Sequence, residues 1–208
     1  MDSIWLWPLA LVALLLAWPA LRPLAARLFP DPARPQALAP QPDHIYLLRV
    51  IDHHWRHPEP RAAAQRDLAA AGFVEAGTYV VREMPDLTLE LHAHPAERAY
   101  AILYDHTRSG FWAELVTRYT DGTLATYTTL EPLELDLPEG SVHVAAPKTP
   151  LAELWKRMLA ERPKKSSREC SRSGAARDFE RGYAESVAHH KRKTTPVETD
   201  GAEHRRTA

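Results

Sequence analysis

His92 and His94 flank Ala93. In an extended chain alternate side chains fall on one face, so both imidazoles point the same way, as two ligands of one transition metal must. His106 and His143 are further imidazoles that could approach across a sheet, and Glu90 stands two residues before His92. This surface would serve a metal-dependent or hydrolytic enzyme. Against it, no Cys or Glu stands at a recognised ligand spacing, and H-E-x-x-H does not occur. Thr88, Glu90 and His92 also alternate with Leu87, Leu89 and Leu91, a pattern that predicts a wet polar face opposite a buried one. His53, His54 and His57 could place two imidazoles on adjacent turns of a helix, and they read as exposed surface.

Nucleophilic chemistry finds little footing. Neither Ser109 nor Ser141 sits in a G-x-S-x-G elbow. Asp105, His106 and Ser109 lie close in sequence, but a strand end followed by Ser-Gly usually marks a turn. Arg168 and Arg172 near Cys170 could lower the pKa of that thiol, but a flexible linker gives it no substrate pocket. The chain has eight glycines and no G-x-G-x-x-G, so no phosphate-binding loop and no cofactor is implied, and no residue is assigned a catalytic role. The remaining candidates are aromatic. Trp112, Tyr119, Tyr127 and Trp155 could line a groove for a peptide, lipid or small ligand, or pack as core and cross-strand pairs.

Positioning these residues falls to a predicted α+β domain over Asp43–Arg162, an antiparallel sheet of about five strands packed by helices. Asp43 can cap a helix with Ile45, Leu48, Ile51 and Trp55 on its apolar side, ended by His57-Pro58. A second helix is expected over Pro60–Ala71, stopped by Gly72. Strands are expected over Phe73–Arg82, Leu87–His94, Arg98–His106, Phe111–Thr120 and Thr123–Leu130, with Asp121-Gly122 as a hairpin turn. Thr149-Pro150 opens a helix whose Leu151, Leu154, Trp155, Met158 and Leu159 form an apolar stripe that should cover the sheet. Residues 163–208 read as a basic, mostly flexible tail, with a possible short helix over Asp178–His190.

Charge is uneven along the chain. Asp43–Arg162 holds 18 acidic and 12 basic residues, a formal −6, and the tail holds 7 acidic and 11 basic, a formal +4. Lys164, Lys165 and Arg168 are therefore candidate contacts for anionic lipid, each contributing about 1 kcal/mol near such a leaflet. No nucleic-acid partner is expected.

Ser3–Leu21 carries no charge. As a helix its nineteen residues would measure roughly 28 Å, close to the hydrocarbon thickness of a bilayer. Residues 1–28 are accordingly read as a transmembrane anchor, with Trp5, Trp7 and Trp18 near its ends, rather than as a cleaved signal peptide. Arg22, Arg27 and Arg34 follow the run and no cation precedes it, which places the C-terminal domain in the cytoplasm. The single cysteine offers no disulfide framework, in keeping with that side. Residues 29–42 carry five prolines and read as a stalk of up to about 43 Å.

Across Leu68–Leu159, a set of residues resembles an uncharacterised family of bacterial membrane-anchored α+β domains. They are Ala71-Gly72-Phe73, Gly77, Tyr79, His94-Pro95, Tyr100, Trp112, Glu114-Leu115, Thr117, Tyr119 and Asp121-Gly122-Thr123. The resemblance implies a bacterial inner-membrane location and carries no activity or cofactor with it. The reading that follows is a single-pass, membrane-tethered, non-enzymatic binding or scaffold domain, with the lipid bilayer and a protein partner or a second copy as its contacts. A structural envelope protein that self-associates is the other non-catalytic expectation.

Overall fold

A computed structural model describes residues 42–132 and 137–194. Seven strands form one sheet in the order of the chain: β1 (Leu47–Val50), β2 (Val74–Val81), β3 (Met84–His94), β4 (Ala99–His106), β5 (Gly110–Arg118), β6 (Leu124–Thr128) and β7 (Val142–Ala145). Neighbours from β1 to β6 pair antiparallel, and β7 joins β6 in parallel. Helices α1 (Pro58–Ala70) and α2 (Leu151–Glu161) cover one face, and α3 (Ala175–Thr194) covers the other.

Local chemistry sets most of these boundaries. Pro58 and Pro60 open α1, and the helix closes in a Schellman motif. Gly72 N–H donates to Ala69 O at 3.1 Å and Phe73 N–H to Leu68 O at 3.0 Å, with Gly72 at φ +91°. A Cβ on Gly72 would also stand 3.1 Å from His94 Nε2. Asp121-Gly122 turns β5 into β6 as predicted, with Asp121 Oδ1 accepting from Thr123 N and Oγ1. Leu151, Leu154, Trp155 and Met158 bury the α2 stripe against Ala101, Leu103, Leu115 and Tyr127.

Several expectations are corrected. The segment after Asp43 is not a helix but edge strand β1, in register with Val81 to Thr78 of β2. Its Ile45, Leu48 and Ile51 spacing fits a helix, yet Leu47 packs toward α3 beside Ile45, while Ile51 is 92% exposed. The unpaired edge of β2 offers this short chain a ladder that no isolated helix could match. Asp43 pairs with Lys191 instead of capping a helix. The sheet has seven strands rather than about five, because β1 and the four-residue β7 are too short to show a period.

Residues 163–174 are no flexible linker. They run as a strap along the end of β5: Thr120 N–H donates to Ser166 O at 3.0 Å, Arg168 N–H to Arg118 O at 2.8 Å, and Tyr119 bridges Ser167. The expected short terminal helix is a twenty-residue element, α3, lying on the sheet through Ala175, Phe179 and Tyr183. Sequence polarity misled here because charged side chains on a strap point outward while its backbone supplies the contacts.

Among the described residues no helix is long and apolar enough to cross a membrane. The Ser3–Leu21 run, the stalk up to residue 41 and the tail from residue 195 lie outside the described residues.

Candidate functional site

The face bearing Thr88, Glu90 and His92 is buried, not solvated, and α1 is what covers it. Glu90 is 0% exposed. Its carboxylate accepts from Arg61 Nε at 2.6 Å, Gln65 Nε2 at 2.7 Å and His92 Nε2 at 2.7 Å. Burial pushes the Glu90 pKa up, but His92, Gln65 and Arg61 together outweigh it, and the group lies below the ordinary carboxylate range. The Arg61 guanidinium also lies 4.4 Å over the Trp55 ring. Arg61 and Gln65 are four residues apart on one stripe of α1, a spacing that signals a polar patch meeting a polar strand face.

Further along that face, buried Asp105 accepts from Arg56 N–H at 2.7 Å, His57 N–H at 3.3 Å and His57 Nδ1 at 2.8 Å. This is a base held by a buried carboxylate, the orienting half of a triad. Among the described residues no hydroxyl or thiol completes it. The pair instead anchors the N-terminus of α1, where a carboxylate is favoured. His53 Nε2 meets Thr88 Oγ1 at 3.0 Å, so His53 and His57 are engaged with the sheet rather than free on the surface, while His54 is exposed.

His92 and His94 do share a face, as their spacing predicts, but each is committed elsewhere. His94 Nδ1 accepts from Glu97 N–H at 3.2 Å and its Nε2 reaches Ala71 O at 3.0 Å. Its ring stacks on Trp155 at 5.4 Å and meets Phe73 edge-on at 5.1 Å. His143 lies on β7, three strands from β4, and the β4 residue in its row is Tyr100, six positions from His106, so the two imidazoles do not approach each other. Among the described residues no group of three His, Cys, Asp or Glu side chains could hold a metal ion. His106 Nδ1 accepts from Ser109 N–H at 3.0 Å, which makes Asp105-His106-Ser109 a turn.

The four aromatic candidates do not share a groove. Tyr119, Tyr127 and Trp155 belong to the buried core under α1 and α2. Trp112 is on the opposite face, stacked on Tyr104 at 4.6 Å. Lys165 pairs with Asp121 at 3.0 Å and Arg168 lies 3.7 Å from Glu185, while Lys164 is exposed. Cys170 is buried with its thiol donating to Ala99 O at 3.1 Å, and burial pushes its pKa up rather than activating it.

One opening is a polar depression on the α1 side, lined by residues 51–55, Arg61 and Thr78, and another is on the α3 side. A cavity of about 240 Å³ lies between α3 and strands β3 to β6, lined mostly by Leu91, Ile102, Val116, Leu124, Phe179 and Tyr183. Glu114 is set into this wall between Trp112 and Val116, opposite Ile102 on β4 and Thr128 on β6. It accepts the Tyr104 hydroxyl at 2.8 Å. Burial raises the Glu114 pKa, and the Tyr104, Thr128 and Trp112 side chains pull it only part of the way back. The Tyr104 phenol is pushed well up by the same burial and by the adjacent Glu114. The arrangement is an apolar chamber with one carboxyl held toward its neutral form.

Glu114 is the residue that reasoning on chemistry alone passed over. Its signal is a single carboxylate between the apolar Trp112 and Val116 in one alternate row of β5. Comparison of the chain with protein-family models, with curated proteins and with solved structures gives no match, so the geometry of this chamber is what bears on function.

Proposed function

We propose that this chain is a membrane-tethered, non-enzymatic binding domain whose chamber under α3 holds a small, mostly apolar ligand. One observation carries the binding role: the cavity lined by the α3 face of the sheet is mostly apolar, whereas the wider depression on the other face, between residues 51–55, Arg61 and Thr78, is polar. The tether rests on the Ser3–Leu21 run and the orientation on Arg22, Arg27 and Arg34.

Size bounds the ligand. A cavity of roughly 150 Å³ accepts a benzene ring. The chamber, at about 240 Å³, therefore suits roughly ten non-hydrogen atoms. At efficiencies typical between fragments and drug-sized ligands, such a molecule binds with a Kd on the order of tens of micromolar.

The test uses the full chain in nanodiscs of zwitterionic lipid, since detergent tails would compete for an apolar chamber. Labelled 1-nonanol should be retained above the level of empty discs. Val116→Phe, which fills the chamber, should abolish that excess without lowering the melting temperature. Equal retention by both proteins and by empty discs would rule out the chamber as a binding site.

A further inference from the structure

The chamber has a charged rim. Arg118 lines it and also lines a smaller adjoining pocket of about 50 Å³, shared with Arg168, Gly182, Glu185 and Ser186. Three guanidinium groups meet there over one carboxylate. Glu185 Oε2 accepts from Arg118 Nη1 at 3.1 Å, and its Oε1 lies 3.7 Å from Arg168 and 3.9 Å from Arg181. Arg181 has a second partner in Asp178, which also accepts the Tyr100 hydroxyl at 2.6 Å. Glu185 is half exposed and therefore displaceable, whereas Arg118 is 19% exposed. Arg118 is also pressed on the α3 backbone at Gly182, where a Cβ would stand 1.5 Å from Nη2. The absence of a side chain at Gly182 is what lets a guanidinium sit at the chamber mouth.

An apolar chamber ending at crowded cations complements a molecule with an alkyl body and an anionic end. We propose that the ligand is a medium-chain alkyl carboxylate, its head between Arg118 and Arg168 in place of Glu185 and its chain laid along the chamber toward Glu114. This rests on the chamber being the binding site. The volume selects a free acid over a bilayer lipid, whose two long chains exceed roughly ten non-hydrogen atoms. Arg presents its donors as a planar fork that matches a carboxylate, which Lys does not.

Nonanoate, 1-nonanol and nonylamine share one chain and differ in the head. Measured against the full chain in zwitterionic nanodiscs, with empty discs subtracted, nonanoate should bind about tenfold tighter than 1-nonanol, as a charge-assisted hydrogen bond allows. Nonylamine should bind weaker than either. Arg168→Gln should cut nonanoate affinity several-fold and leave 1-nonanol unchanged. Glu185→Gln removes the competing carboxylate and should tighten nonanoate binding, a gain that damage to the fold cannot mimic. If 1-nonanol is retained while nonanoate binds no better and Glu185→Gln changes nothing, the anionic-head assignment fails and the chamber reading survives. If none of the three is retained, both fail.

Discussion

Replacing Glu114 by Gln separates the charge of the chamber wall from its shape. Glutamine keeps a carbonyl to accept the Tyr104 hydroxyl, now at 2.8 Å, and cannot ionise. In an unfolded chain the Glu114 carboxyl titrates near 4.5, and burial in the folded protein places it higher. Between those two values the folded protein keeps a proton that the unfolded chain has released. Stability therefore falls as pH rises, by up to about 1.4 kcal/mol per pH unit, and the loss is complete once pH passes the folded value. Below the unfolded value the loss is absent.

Carboxylates held low in the folded state, such as Glu90 and Asp121, act in the opposite direction and lose stability as pH falls. They are common to both proteins and cancel in the difference. Urea unfolding of the two proteins from about pH 4 to about pH 8 should therefore give a difference that is flat in acid and grows with pH in favour of Glu114→Gln. A flat difference across that range, or a mutant that loses ground as pH rises, would refute a buried neutral carboxyl in the chamber wall.

Other perturbations read the opposite face. Glu90→Ala leaves Arg61, Gln65 and His92 without their acceptor, and should cost about 3–5 kcal/mol in denaturant unfolding, as breaking a buried ion pair does. The stability that wild-type Glu90 supplies is present above about pH 4.5 and lost as pH falls through its depressed value, and this acid-limb loss should vanish in the variant. Gly72→Ala forces a left-handed backbone on an L side chain and crowds His94 Nε2 at 3.1 Å, so thermal unfolding should show a loss of roughly 1–2 kcal/mol. Leu154→Ala empties a fully buried position against Tyr127 and Leu115, for an expected 2–5 kcal/mol in the same measurement.

Much of the fold was legible in the chain itself. The leucine alternation in β3, Asp121-Gly122 between β5 and β6, Gly72 after α1 and the α2 stripe each report a local period or a backbone conformation. Such signals need only a few neighbouring residues, so the sequence carries them unaided. The candidate aromatics were legible as residues but not as a site, because Trp112 and Trp155 look alike in sequence and lie on opposite faces of the sheet.

Tertiary structure decided the rest. Whether Leu47–Val50 became a strand depended on the free edge of β2. Whether Thr88, Glu90 and His92 met water depended on α1 presenting Arg61 and Gln65 above them, since a polar face satisfied by a polar helix carries the same residues as a solvated one. The strap of residues 163–174 and the chamber at Glu114 exist only because α3 returns across a sheet laid down long before it in the chain. Contacts of that sequence separation leave no periodic trace in either partner, and only the assembled layers bring Arg118, Gly182 and Glu114 to one cavity.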